Sequence, residues 1–233
     1  MDANSRAGRR KAPRRFLSIP FLCLALAATA GGCGIDDYPY LYPASGVSGT
    51  DSMPAYFSHN TGNDSASFLG YEIYYRIYEN AADAVSDGAT IQANWDTVSP
   101  DTVVQRMKSL KYVRVIDEYV GQQMPLVNVD PADTANDIFV SMTFDLLGAG
   151  SIKNELAETP LSIRRNAKDA SDAYRTFGDL EKDSDDTDCK YADSTTEPAK
   201  AYLRSYVFAY GLSASFGDLY SRPTLLTSTY ELN

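Results

Sequence analysis

The stretch Phe68-Leu69-Gly70-Tyr71-Glu72-Ile73-Tyr74-Tyr75-Arg76-Ile77-Tyr78 decides the fold. Read with a period of two, it places Leu69, Tyr71, Ile73, Tyr75 and Ile77 on one face. Glu72, Tyr74, Arg76 and Tyr78 fall on the other. Side chains alternate across a strand, and aromatic and β-branched residues suit a pleated surface, so this spacing predicts a long half-buried strand. A second stretch has the same character. Residues 200–214 (KAYLRSYVFAYGLSA) set Leu203, Ser205, Val207 and Ala209 against Tyr202, Tyr206, Phe208 and Tyr210.

Working outward, shorter strands are predicted at 55–57, 112–116, 125–129, 137–146 and 160–165, with a last one near 225–232. Polar turns are expected at 59–64 and around 216–223. One helix is predicted over 99–110. Ser99 can cap it, Pro100 suits its first position, Asp101 favours its positive end, and Val103, Val104, Met107 and Leu110 recur at helical spacing. No βαβ rhythm and no internal repeat is present. The pattern predicts a mainly β fold, an antiparallel β-sandwich with one or two short helices.

The chain has 233 residues, 44% of them apolar, with 17 Tyr and 9 Phe, enough for a sizeable core in one domain. Its net charge of -10 argues against a nucleic-acid partner, which would need a clustered basic face. His59 is the only histidine, which excludes any site built on two, and its polar turn predicts a surface position. There is no P-loop, G-x-G-x-x-G or G-x-S-x-G string, and no cofactor is expected.

The N-terminus reads as an export signal. Arg6, Arg9, Arg10, Lys11, Arg14 and Arg15 precede an uncharged run from Phe16 to Ala30, followed by Gly31, Gly32 and Cys33. The apolar run is shorter than the roughly 20 residues that span a bilayer. Ala30-Gly31-Gly32-Cys33 resembles the lipobox of bacterial lipoproteins. That resemblance implies cleavage after Gly32 and acylation of Cys33, with a diacylglyceryl group on its thiol and a fatty acid such as palmitate on its new amino terminus. Two acyl chains suffice for stable anchoring where one does not. Residues 1–32 are thus read as signal peptide, 33–55 as a lipidated Gly/Pro-rich tether, and 56–233 as one β-rich domain. Without residues 1–32, six basic groups and one acid are lost, leaving 15 basic and 30 acidic groups. Of three cysteines only Cys189 then remains unmodified, so no intrachain disulfide is available, and it reads as an inert loop thiol.

Within the domain, Gly70-Tyr71-Glu72-Ile73-Tyr74-Tyr75-Arg76 resembles the third strand of fibronectin type III and related immunoglobulin-like domains. Val207-x-Ala209 with Ser221-x-Pro223 resembles the passage from the sixth strand to the last. The resemblance implies that sandwich, interrupted by a long insertion at about 80–198. The second-strand tryptophan is missing, since the sole Trp95 follows the third strand.

Three candidate sites follow. The acidic stretch 179–197 suggests Asp183, Asp185 and Asp188 as calcium ligands, but an EF-hand register fails, and the alternative is an exposed, mobile loop. The rows Tyr74, Arg76, Tyr78 and Tyr206, Phe208, Tyr210 suit a protein or glycan partner, since Tyr and Arg are enriched at interfaces. The alternative is that a helix covers them. Cys33 is the lipidation site, with the bilayer as partner. The expected function is a non-enzymatic binding or structural role in an exported envelope lipoprotein, on the periplasmic face or the cell surface. The alternative is an envelope hydrolase acting on cell-wall or host polymers through a carboxylate pair.

Overall fold

A computed structural model describes residues 40–63, 66–121, 124–145, 148–192 and 197–232. The export signal, Cys33 and the first seven residues of the tether lie outside this set. In chain order the described elements are β1 (Ser45–Ser48), β2 (Ala55–Ser58), β3 (Phe68–Tyr78), α1 (Ala81–Gln92), α2 (Pro100–Ser109), β4 (Val113–Arg114) and β5 (Ile116–Asp117). There follow β6 (Val127–Asn128), β7 (Phe139–Thr143), β8 (Gly150–Asn154), β9 (Leu161–Arg164), β10 (Cys189–Lys190), β11 (Ala201–Leu212), β12 (Asp218–Tyr220) and β13 (Thr224–Leu232).

The fold is mainly β, with two sheets. One has the order β1-β2-β7-β8-β9-β5. The other is built on β3 and β11, joined antiparallel from Tyr78↔Tyr202 to Gly70↔Tyr210, with β12 and β13 on β11 and β4, β6 and β10 on β3. Pairing is antiparallel throughout except at β10–β3. The chain crosses between sheets within a few residues, since Val113 pairs with Tyr75 and Ile116 pairs with Arg164. That crossing splits the strand predicted at 112–116.

The two-residue period explains the layers. Tyr71, Ile73, Tyr75 and Ile77 pack with Leu203, Val207 and Ala209 against Phe57, Val140, Met142, Ile152 and Ile163 of the first sheet, forming the sandwich core. Tyr74, Tyr78, Tyr206 and Phe208 point the other way, onto Ala84 and Ile91 of α1 and Val103, Val104 and Met107 of α2. The second sheet is therefore covered on both faces, which is why β3 and β11 are buried almost throughout. The helix predicted at 99–110 is α2, capped by Ser99. Helix α1 lies in a stretch without an apolar period, and starts where the Asn80 side chain accepts the Ala82 N–H.

Three expectations are corrected. The tether does not extend to residue 55: Leu41 and Ala44 are buried in the core and β1 pairs with β2. Leu69 does not share the face of Tyr71. A bulge between Gly70 and Phe68 reverses the alternation, so Phe68 enters the sandwich core and Leu69 packs on the helical side. Gly70 permits this with φ +155, and a Cβ there would lie 2.1 Å from the Val127 carbonyl oxygen. Cys189 is no loop thiol either, since it is buried in β10.

Candidate functional site

The tyrosine rows do not form an exposed binding face. Tyr74, Tyr78, Tyr206, Phe208 and Tyr210 are buried, and Arg76 lies beneath the helices with them. The reason is the second helix, α1, which the sequence reading did not place. Asp87 of α1 fastens the layers: the Arg76 guanidinium donates to it at 3.2 Å, the Tyr78 hydroxyl at 3.0 Å and Lys190 at 3.4 Å. Tyr112 lies 2.9 Å from the Tyr78 hydroxyl, and Arg204 donates to the Tyr206 hydroxyl at 2.8 Å.

Glu72 is the acid that stands out on this face. Its side chain is fully buried, and burial pushes its carboxyl up to about 7 although Arg114 lies 3.4 Å away and opposes the shift. Among the described residues its oxygen Oε2 has no hydrogen-bond partner. A carboxyl poised near neutrality has the proton affinity of a general acid, but Glu72 is fully buried.

The acidic stretch is not a solvated loop over its described residues. It folds onto two arginines. Arg165, wholly buried, donates from Nε and Nη2 to both oxygens of Asp188 at 2.8 and 2.9 Å, and from Nη2 to Asp186 at 3.3 Å. Arg175 holds Asp179 at 2.9 Å and Asp183 as well. The Tyr75 hydroxyl donates to Asp188 at 2.6 Å and accepts the Asn166 N–H, with Phe177 edge-on at 5.2 Å. Burial would raise the Asp188 carboxyl, but Arg165 outweighs it and holds it below the usual range. The candidate calcium ligands are thus dispersed: Asp188 faces Arg165, Asp183 faces Arg175, and Asp185 is exposed. Asp183 and Asp185 line an open cleft of about 690 Å³ with Lys168, Asp169 and Tyr174. Among the described residues no group of three or more His, Cys, Asp or Glu is arranged to hold a metal ion. Burial pushes the Cys189 thiol well above its ordinary range, next to Asp188 and Arg165.

His59 is buried, not at the surface. Its Nδ1 lies 2.8 Å from the Tyr71 hydroxyl and its Nε2 2.9 Å from the Thr134 carbonyl. The carbonyl can only accept, so Nε2 carries the proton and Tyr71 donates to Nδ1. Burial lowers its pKa. It joins the end of β2 to the start of β3 through ring contact with Phe68 at 5.1 Å.

The outer face of the first sheet is open to solvent at Phe139 and Lys153. On the outer face, Tyr56 and Phe139 stack at 5.1 Å beside Ser141 and Lys153. Comparison with protein families, curated proteins and solved structures finds no match to this chain.

Proposed function

We propose that this chain is an exported lipoprotein of a bacterial envelope, anchored through acylated Cys33, with a binding or structural role rather than a catalytic one. The observation that carries this reading is the order of basic residues, uncharged run and Ala-Gly-Gly-Cys, followed eight positions later by Leu41, the first core residue among those described. The buried charges support the non-catalytic part. Asp87, Asp186 and Asp188 are committed to arginine, lysine and tyrosine partners that join one element to another.

Fractionation and mass measurement test the anchor. The wild-type protein should carry diacylglyceryl and a fatty acid on Cys33 and stay with the membrane, whereas Cys33→Ala should be released. A Cys33→Ala protein held as firmly as wild type would refute the anchor. Protease shaving of intact cells then separates the cell surface from the periplasmic face. The second reading, an envelope hydrolase, rests on Glu72 and its pKa near 7. Release of soluble fragments from cell-wall polymers by wild type, lost in Glu72→Gln, would favour it over the first.

A further inference from the structure

Of the eight large apolar side chains exposed among the described residues, Val85 sits on α1 and Tyr119 and Val120 follow β5, while the other five gather at one end of the sandwich. Tyr42 sits at the end of the sandwich where β2 finishes and β3 begins, its N–H held by Asn63 at 2.7 Å, with Tyr40 edge-on at 5.2 Å. Phe139 opens β7 at the same end, paired with Ser58. Leu156 follows directly, because Glu155 N–H bonds the Phe139 carbonyl. Phe216 tips the turn between β11 and β12, whose base is fixed by Leu212 N–H on the Ser67 carbonyl. Phe216 is 84% exposed and Leu156 52%.

This is also the end at which the chain arrives from Cys33. From Cys33 to Leu41 is eight residue steps, at most about 28 Å fully extended. Strand β3 alone, eleven residues long, measures about 35 Å. A tether shorter than the sandwich keeps this end next to whatever holds Cys33. We propose that it is a membrane-facing rim, with Tyr40, Tyr42, Phe139, Leu156 and Phe216 resting among the headgroups of the bilayer that carries the anchor. Aromatic side chains favour that depth. The exposed acids Asp137, Glu155 and Asp218 stand around the rim and select zwitterionic over anionic headgroups. The proposal rests on the anchoring reading.

The test uses the acylated full-length mature protein, its lipid confirmed by mass, in phosphatidylcholine vesicles containing a headgroup-nitroxide lipid. A fluorophore is placed in turn at Leu156→Cys, Phe216→Cys and Ser52→Cys. Ser52 is exposed in the turn between β1 and β2, at the opposite end. Cys189 is buried and does not compete for label. Quenching should be several-fold at 156 and 216 and slight at 52, and should weaken when anionic lipid is added. Equal quenching at all three sites, no quenching at any, or quenching that requires anionic lipid would overturn the rim. Labels at 156 and 216 shielded from water yet unquenched would point to a protein partner instead, and also overturn it. A mass without acyl chains would refute the anchoring reading itself, and the rim with it.

Discussion

Glu72 shows how one buried acid writes a pH signature on the fold. Its carboxyl titrates near 4.5 when exposed and about 7 when folded, because burial disfavours the charge more than Arg114 restores it. Between those values the folded chain binds more protons than the unfolded one, so stability falls as pH rises. The shift corresponds to roughly 3 kcal/mol, fully present below 4.5 and lost through 7. His59 works with the opposite sign: its lowered pKa means that the unfolded chain takes up the proton first as pH falls below 6.5, weakening the fold in acid. Removing the Glu72 contribution should leave that of His59. Urea unfolding at pH 5 and pH 8 should therefore show wild type losing on the order of 3 kcal/mol more than Glu72→Gln over that interval. Equal losses would mean that Glu72 is ionised in the folded chain throughout. Asp188→Asn makes a different demand. It leaves Arg165 buried against a neutral partner, and breaking such a pair costs about 3–5 kcal/mol. The variant should unfold at markedly lower urea at neutral pH, and a cost under about 1 kcal/mol would show that Asp186 alone satisfies Arg165.

The elements explain what the sequence disclosed and what it withheld. Strands β3 and β11 were legible because aromatic and β-branched or aliphatic residues alternate along each over ten or more positions, and a period of two survives whichever layer covers it. The placement of α2 was legible from Ser99, Pro100 and four spaced apolar residues. Helix α1 was not, because AADAVSDGATIQ has little apolar stripe: its attachment is polar, through Asp87, and close, through Gly88 against the Arg204 guanidinium. Missing α1 left the tyrosine rows open to a binding interpretation that its presence removes. The acidic stretch misled for a related reason. Charge density predicts repulsion only if no counter-charge meets it, and the two counter-charges lie just outside the stretch: Arg175 four residues before Asp179, and Arg165 directly after β9. The bulge at Leu69 was hidden because glycine in a strand does not announce its φ. It predicts that Gly70→Ala is costly. A Cβ would collide with the Val127 carbonyl and the Pro125 ring, and φ +155 strains any side chain. A loss of about 3 kcal/mol is expected, with amide exchange at Val127 and Asn128 in β6 rising before that of β11. A neutral effect would show that the strand can flatten without the bulge.

At the scale of the whole molecule, the length of chain between Cys33 and Leu41 is the controlling quantity. A tether running to residue 55 would have let the domain tumble well clear of a bilayer. With Leu41 in the core, only eight residue steps separate it from Cys33, and under the proposed anchor so short a span would hold the rim at a high local concentration of headgroups. That concentration falls roughly as the −3/2 power of linker length. Inserting 20 Gly/Ser residues after Gly34 takes the span from eight steps to about 28, so the ratio of docked to undocked rim should fall about sixfold. Partition into membranes should change little, because the acyl chains dominate it. The readout is quenching at the Leu156→Cys and Phe216→Cys labels by headgroup nitroxides, compared in acylated proteins with and without the insert. Quenching that survives the insertion intact would mean that the rim grips the bilayer through its own side chains and not through the shortness of the tether. Quenching that vanishes while acylation and partition persist would make tether length the device that orients the domain.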